Sequence, residues 1–305
     1  MKTALRTCLL LACIALLTPA FAARPPTQHA VQNAEHSLTL WSRVPHRPTH
    51  AILLVHGRTW SALPDFDLQV AAKNRSVMQA LVARGYATYA IDLRGYGATR
   101  RNADGWNTPN QAAADIAIVL QWIAQRHPKL AKPSLLGWSM GSALAQLAAQ
   151  QHPALLSDLI LYGYPRDPGA TPPIPPTPAT PPREVNTRER AISDFISPLV
   201  TSQALIDTYV IAALKADPVR ADWKQLEDYR ALDPALVKNP TLVIHGNRDP
   251  LAPIAAQSRL FVALGNPDKQ WVILAGGDHA AMLEDTHEAF IAAVHAFVRR
   301  PRLGQ

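Results

Sequence analysis

Cysteine is almost missing from this chain. Among 305 residues only Cys8 and Cys13 occur, both within the first thirteen positions. Long apolar runs are missing too: beyond the N-terminus nothing approaches the roughly 18 consecutive apolar residues of a membrane span, which argues against stable membrane insertion. Charge is not concentrated. The 30 Lys+Arg and 23 Asp+Glu give a formal +7 spread along the sequence, with no basic run interleaved with aromatics. A nucleic-acid surface is therefore not expected. Neither a C-x-x-C nor an H-E-x-x-H pattern appears, so no metal is expected either. What is present is apolar material: 48% of residues are hydrophobic, enough for a large core and too many for a disordered chain.

The N-terminus reads as a targeting segment. Lys2 and Arg6 form a basic start, Leu9 to Leu17 is an apolar stretch too short to cross a bilayer, and Pro19 ends it before Ala20-Phe21-Ala22. That is the pattern of a signal peptide over residues 1–22, cut after Ala22. The mature chain would then hold 28 basic and 23 acidic side chains, a net +5, and no cysteine at all. A secreted or periplasmic protein without disulfides must draw its stability from its core.

Downstream, strand and helix patterns alternate. Apolar strands are expected at 37–44, 51–55, 86–91, 134–136, 159–162, 241–245 and 271–274. Helices are expected at 76–84, 109–126, 142–151 and 285–299, and residues 23–35 read as a loose arm. Alternation of this kind implies an α/β fold with a mostly parallel sheet and helices on both faces. One interval breaks the rhythm. Residues 165–182 are proline-rich, stiff and unable to join a sheet, and helical patterns follow near 187–196, 202–215 and 221–231. The expected organisation is a core over 23–162, an inserted helical cap with a proline-rich entrance over 163–236, and the rest of the core over 237–305.

Gly137-Trp138-Ser139-Met140-Gly141 is a G-x-S-x-G pattern lying between an apolar strand and a helix of small residues. A serine projecting from a sharp strand-to-helix turn needs tiny neighbours, and Gly137, Gly141, Ser142, Ala143 and Ala145 supply them. A serine hydroxyl is a weak nucleophile and needs a base, itself held by an acid. Asp249 and His279 each follow an expected strand, and in a parallel sheet such ends line one crevice. Ser139 is the candidate nucleophile, His279 the base and Asp249 the orienting acid, with Asp167 a rival for the last role. The amide of Met140 and one from the loop His56-Gly57-Arg58-Thr59 are the candidate oxyanion donors, Arg58 ahead of Thr59. His56 and His245 read as strand-end residues bonded to nearby loops, and Asp278 as a turn former.

In order along the chain, His56-Gly57, Asp92-Leu93-Arg94-Gly95-Tyr96-Gly97, Gly137-Trp138-Ser139-Met140-Gly141, His245-Gly246-Asn247-Arg248-Asp249 and Gly277-Asp278-His279 resemble the α/β-hydrolase superfamily. The resemblance covers about residues 37–300 apart from the cap. It implies an eight-stranded, mostly parallel sheet, a triad on Ser139, Asp249 and His279, a structural Asp92 and no cofactor. It does not choose among esterases, lysophospholipases, carbon–carbon bond hydrolases and perhydrolases. Met140 departs from the Trp usual there in proline-releasing aminopeptidases.

The cap carries Tyr209, Trp223 and Tyr229, and Trp60, Trp106 and Trp138 are candidates for an aromatic wall, with Trp60 and Trp138 assigned to substrate binding. An apolar roofed pocket suits a small or medium carboxylic ester. Cap acids Glu184, Glu189, Asp222, Glu227 and Asp228 would instead suit a substrate amine, if they faced the site. The leading expectation is a secreted serine esterase working through an acyl-enzyme on a small-molecule substrate. A capped serine aminopeptidase and a non-catalytic binding protein are the alternatives. Nothing in the sequence fixes the oligomeric state.

Overall fold

The computed structural model describes residues 24–70, 74–171, 173–197 and 199–302. The expected signal segment and both cysteines lie outside the described residues. In chain order the strands are β1 (Thr27–Asn33), β2 (His36–Arg43), β3 (His50–Val55), β4 (Tyr86–Asp92), β5 (Trp106–Asn107), β6 (Ser134–Trp138), β7 (Leu159–Tyr162), β8 (Asp222–Trp223), β9 (Thr241–Gly246) and β10 (Lys269–Leu274). The α-helices are α1 (Ala62–Phe66), α2 (Val77–Val82), α3 (Pro109–Arg126), α4 (Met140–Gln151), α5 (Arg188–Ile192), α6 (Gln203–Ala216), α7 (Ile254–Ala263) and α8 (His287–Arg299).

Eight strands form one sheet in the order β1-β2-β4-β3-β6-β7-β9-β10. The β1–β2 and β2–β4 pairings are antiparallel and the rest parallel. β3 shows why the sheet is covered on both sides. Its run Ala51-Ile52-Leu53-Leu54-Val55 is buried throughout, and side chains alternate between faces. Ile52 and Leu54 join one apolar cluster with residues of α1, α2, α6 and α8. Ala51, Leu53 and Val55 join the other, with α3, α4 and α7. α8 turns Phe290, Ile291, Val294 and Phe297 inward, each such burial stabilising by about 1.5–3 kcal/mol.

Helix starts follow their capping residues. Thr108 accepts from the amide of Gln111 with Pro109 at the first helical position, and Ser76 accepts from Gln79. Two expectations are corrected. Residues 27–33 are not a loose arm but the edge strand β1, paired residue for residue with β2 from Thr27↔Ser42 to Asn33↔His36. Residues 221–231 are not an α-helix: Asp222–Trp223 pairs in parallel with Trp106–Asn107, and a 3-10 turn covers Leu226–Ala231. The interval between β7 and β9 is bonded to the core rather than tethered loosely. Asp217 accepts from the amides of Ser61 and Gly97, both at 2.8 Å, and Trp223 Nε1 donates to Tyr96 Oη at 2.9 Å. Among the described residues no helix is long and apolar enough to cross a membrane.

Candidate active site

β6 ends at Trp138, α4 begins at Met140, and Ser139 alone makes the turn between them with φ 55° and ψ −123°. A non-glycine residue there costs about 1–3 kcal/mol, tolerated only where the surroundings enforce it. They do. The Ser139 amide donates to the Tyr162 carbonyl at 2.9 Å, and its own carbonyl accepts from the amide and hydroxyl of Ser142. A Cβ at Gly137 would lie 2.1 Å from the Gly141 carbonyl oxygen. One at Gly141 would lie 2.4 Å from the carbonyl oxygens of both Val55 and His56. The two glycines are thus required by backbone packed against backbone, and Ser139 is left half-exposed at the N-terminus of α4.

His279 and Asp249 meet beside this turn. His279 Nδ1 lies 2.8 Å from Asp249 Oδ2, and both residues are buried. Asp249 Oδ1 accepts from the amides of Leu251 and Ala252, so the carboxylate has anchors independent of the imidazole. With Nδ1 donating to Asp249, Nε2 is the free basic nitrogen. The His279 carbonyl accepts from Trp138 Nε1 at 2.9 Å and Tyr162 Oη at 2.8 Å. Gly163, with φ 55°, follows Tyr162, and a Cβ there would stand 3.3 Å from His279 Cε1 and Nδ1 and 3.5 Å from Asp249 Oδ2. The backbone that holds the Ser139 amide therefore runs directly on to the His–Asp pair. The His–Asp contact is closed, whereas no hydrogen bond joins the Ser139 hydroxyl to His279. Such catalytic contacts often tighten only around substrate.

The loop after β3 supplies the second wall. Among the described residues, the amides of Arg58 and Met140 donate to no protein acceptor, and both residues line one cavity with Ser139. His56 holds this loop. Its Nδ1 lies 2.8 Å from the Gly57 carbonyl, and its Nε2 accepts from the Leu93 amide, which fixes a neutral tautomer. Complete burial pushes its pKa down to about 4. Below the loop, Asp65 accepts from the Gly57 amide and from Tyr209 Oη. Asp194 accepts from Trp60 Nε1 at 2.9 Å and from Tyr209 Oη at 3.2 Å, and burial pushes its carboxyl up to about 6. Burial, reinforced by the Asp194 charge, holds Asp65 well above the usual carboxylate range. Under His279, Asp278 Oδ2 accepts from the Ser197 amide and Oδ1 from the Ala280 amide, so it holds the loop. Burial and the facing Asp278 push Glu284 up to about 10, so Glu284 is a neutral acid there. Asp92 accepts from Trp41, Ala62 and Ala98 and lies outside the triad.

The cavity over Ser139 has a volume of about 260 Å³. Met140, Ala143, Trp223, Leu226 and Tyr229 line it, and the proline-rich segment supplies Pro165, Pro173, Ile174 and Pro175 as a further wall. That wall role had no signal in the sequence beyond stiffness. The aromatic-wall expectation is corrected. Trp60 and Trp138 are almost fully buried, their indoles committed to Asp194 and to the His279 carbonyl, and neither lines the cavity. Both pack in one buried apolar cluster with residues of α1, α2 and α8. Trp106 sits in the β5–β8 pair, outside this cavity. Asp167 is bound by Arg259, not by His279. Of the acids expected in a cap, Glu184 pairs with Arg190 and Arg220, Asp222 with Arg101, and none lines the cavity. Tyr162, which anchors His279, and Arg166, which lines the cavity, were not singled out by motif because neither lies in one. Among the described residues no group of three or more His, Cys, Asp or Glu could hold a metal ion.

Comparison with known proteins agrees with this architecture. A family model described as "Serine aminopeptidase, S33" matches residues 46–286. The mouse (Mus musculus) serine hydrolase BPHL is 29% identical over 221 residues, 67% of this chain; the chain spans 65% of that relative's length, just under two thirds. A monoacylglycerol lipase of Mycolicibacterium smegmatis is 23% identical over 284 residues, 82% of this chain and 88% of the relative. In fold, the chain resembles a 2-hydroxy-6-oxo-6-phenylhexa-2,4-dienoate hydrolase from Rhodococcus sp. strain RHA1, with a TM-score of 0.64 and 18% identity over 90% of this chain and 99% of the other. A mostly parallel eight-stranded sheet, a strained serine between strand and helix and a family match over most of the length lead to one conclusion: the chain belongs to the α/β-hydrolase superfamily, in the family described as serine aminopeptidase, S33.

Proposed function

We propose that the protein hydrolyses a small or medium carboxylic ester through an acyl-enzyme on Ser139. The observation that carries this reading is the His279–Asp249 pair at 2.8 Å beside a serine forced out of the sheet edge into a mostly apolar cavity. In the first half-reaction Ser139 Oγ attacks the ester carbonyl carbon while His279 Nε2 takes its proton. The carbonyl oxygen becomes an oxyanion facing the amides of Met140 and Arg58. As the tetrahedral species collapses, the C–O bond to the leaving alcohol breaks and His279 returns the proton to it. Water then attacks the acyl-enzyme with His279 again as base, releasing the acid and restoring Ser139. Asp249 keeps its charge and holds the imidazole throughout. The interval between β7 and β9 acts as the cap, its proline wall and Trp223 excluding bulk water.

The family description names aminopeptidases, but an amine-selective site needs a carboxylate facing the substrate, and no acid lines this cavity. The ester reading is favoured on that ground. We further place the mature protein outside the cytoplasm, on the basic and apolar start of the chain; a mature N-terminus at Ala23 after expression in a bacterial host is expected, and an intact Met1 in the exported fraction would refute it. The catalytic reading is tested with a fluorophosphonate probe and with p-nitrophenyl esters against aminoacyl p-nitroanilides. Labelling of Ser139 and faster ester turnover are expected. Absence of label would leave a binding protein on the same scaffold, and preference for anilides would favour the aminopeptidase.

A further inference from the structure

The cavity over Ser139 holds two cations and no anion. Arg58 and Arg166 are both lining residues, and no Asp or Glu is among the rest. Several arginines elsewhere are paired with acids: Arg43 with Asp67, Arg94 with Asp115, Arg259 with Asp167 and Arg300 with Asp158. What matters for the two cavity arginines is their place beside Ser139. Among the described residues neither has a carboxylate partner, although acids are near in sequence; Asp167, next to Arg166, is taken by Arg259. The Arg166 guanidinium lies over the Tyr229 ring, 4.9 Å from its centroid, which orients its plane and leaves its N–H edge unpaired. Arg58 lies on the loop after β3 and lines the same cavity. The remaining wall is apolar.

We infer that the substrate carries a carboxylate besides its scissile ester, held by Arg166 and Arg58, so that the enzyme selects half-esters of small dicarboxylic acids. This rests on the ester-hydrolase reading above and narrows it. A guanidinium binds a carboxylate through two parallel N–H···O bonds, and in a partly closed apolar cavity that pairing is stronger than in water. A neutral acyl chain would gain nothing from two cations, and an ammonium would be repelled. A cavity of about 260 Å³ accommodates a short diacid chain. The paired hydrogen bonds to a charged group should give a preference of roughly ten- to hundredfold in kcat/KM.

The test compares mono-p-nitrophenyl adipate with p-nitrophenyl hexanoate, spontaneous hydrolysis subtracted, in the wild type, Arg166→Gln and Arg166→Lys. The expected result is a preference for the adipate that falls with added salt, is lost in Arg166→Gln and partly returns in Arg166→Lys. Equal or better turnover of the hexanoate, or a ratio unmoved by Arg166→Gln, would overturn the inference. The rate of fluorophosphonate labelling of Ser139 gives a reading that needs no turnover. Adipate should slow it and dimethyl adipate should not; no protection, or protection only by glycerol phosphate, would overturn the carboxylate assignment. If Ser139 takes no label at all, the hydrolase reading itself has failed, which is a different result from labelling without charge preference.

Discussion

Gly141→Ala sets two effects of opposite sign against each other. In an unconstrained helix, replacing glycine by alanine stabilises by about 1 kcal/mol. At Gly141 the new Cβ would lie 2.4 Å from two backbone carbonyl oxygens, those of Val55 and His56, and 2.9 Å from the Val55 carbonyl carbon. Comfortable contact begins near 3.5 Å, so the overlap is about 1 Å. The obstacle is the end of β3 rather than a side chain that could rotate. Overpacking of this kind costs about 1–3 kcal/mol and occasionally more. An overlap of about 1 Å against fixed backbone puts the cost at the upper end, about 3 kcal/mol, so the clash should win by about 2 kcal/mol, lowering Tm by about 4 °C for a chain of this size. The strand end it displaces leads straight to Arg58, so kcat should fall as well, by up to about 10²-fold for a shift near 1 Å. Gly276→Ala is the control. There a Cβ meets nothing within 4 Å, and the only penalty is a φ of 88°. Its expected loss is about 1–2 kcal/mol of stability, with kcat far less affected. Thermal unfolding by circular dichroism and steady-state ester hydrolysis on both variants check this. A Gly141→Ala protein with unchanged Tm and kcat, or a Gly276→Ala protein that loses as much activity, would refute the reasoning.

Asp249→Asn should fold, since Leu251 and Ala252 can still donate to the remaining oxygen, yet lower kcat by roughly 10⁴-fold because the amide favours the wrong imidazole tautomer; a loss under tenfold would count against its role. Glu284 makes stability fall as pH rises. Its folded pKa of about 10 exceeds the unfolded value, so between the two the native state holds a proton that the unfolded state has lost, and the stabilisation present at acid pH fades towards alkaline pH. Glu284→Gln should therefore raise Tm relative to wild type more at pH 8.5 than at pH 5, measured by differential scanning calorimetry; an equal offset at both would contradict the assignment.

The parts of this protein that local chemistry dictates were readable from the sequence. Ala51 to Val55 had to be a buried strand, Thr108-Pro109 had to start a helix, and Gly137 and Gly141 had to flank a serine in an unusual backbone state. What the sequence hid depended on partners distant along the chain. β1 reads as a loose arm because Thr27, Gln28, His29, Gln32 and Asn33 are polar, and only pairing with β2 makes it a strand. Trp138 looked like a substrate contact because it adjoins Ser139, and Trp60 because it lies on the loop after β3, but these indoles are spent on the His279 carbonyl and on Asp194. The proline-rich segment gave no hint of its destination, since a stiff chain without hydrogen bonds carries no register. Arg166 follows β7 in no motif, and its place in the wall of the cavity over Ser139 appears only in space.

The central claim is that Ser139 and His279 act as one unit. Measuring kcat for Ser139→Ala, His279→Ala and the double variant, each checked for native Tm, tests it most directly. The account predicts that either single change lowers kcat by roughly 10⁴-fold or more and that the second adds almost nothing. Losses that multiply in the double variant, or a His279→Ala enzyme that keeps most of its activity, would contradict it.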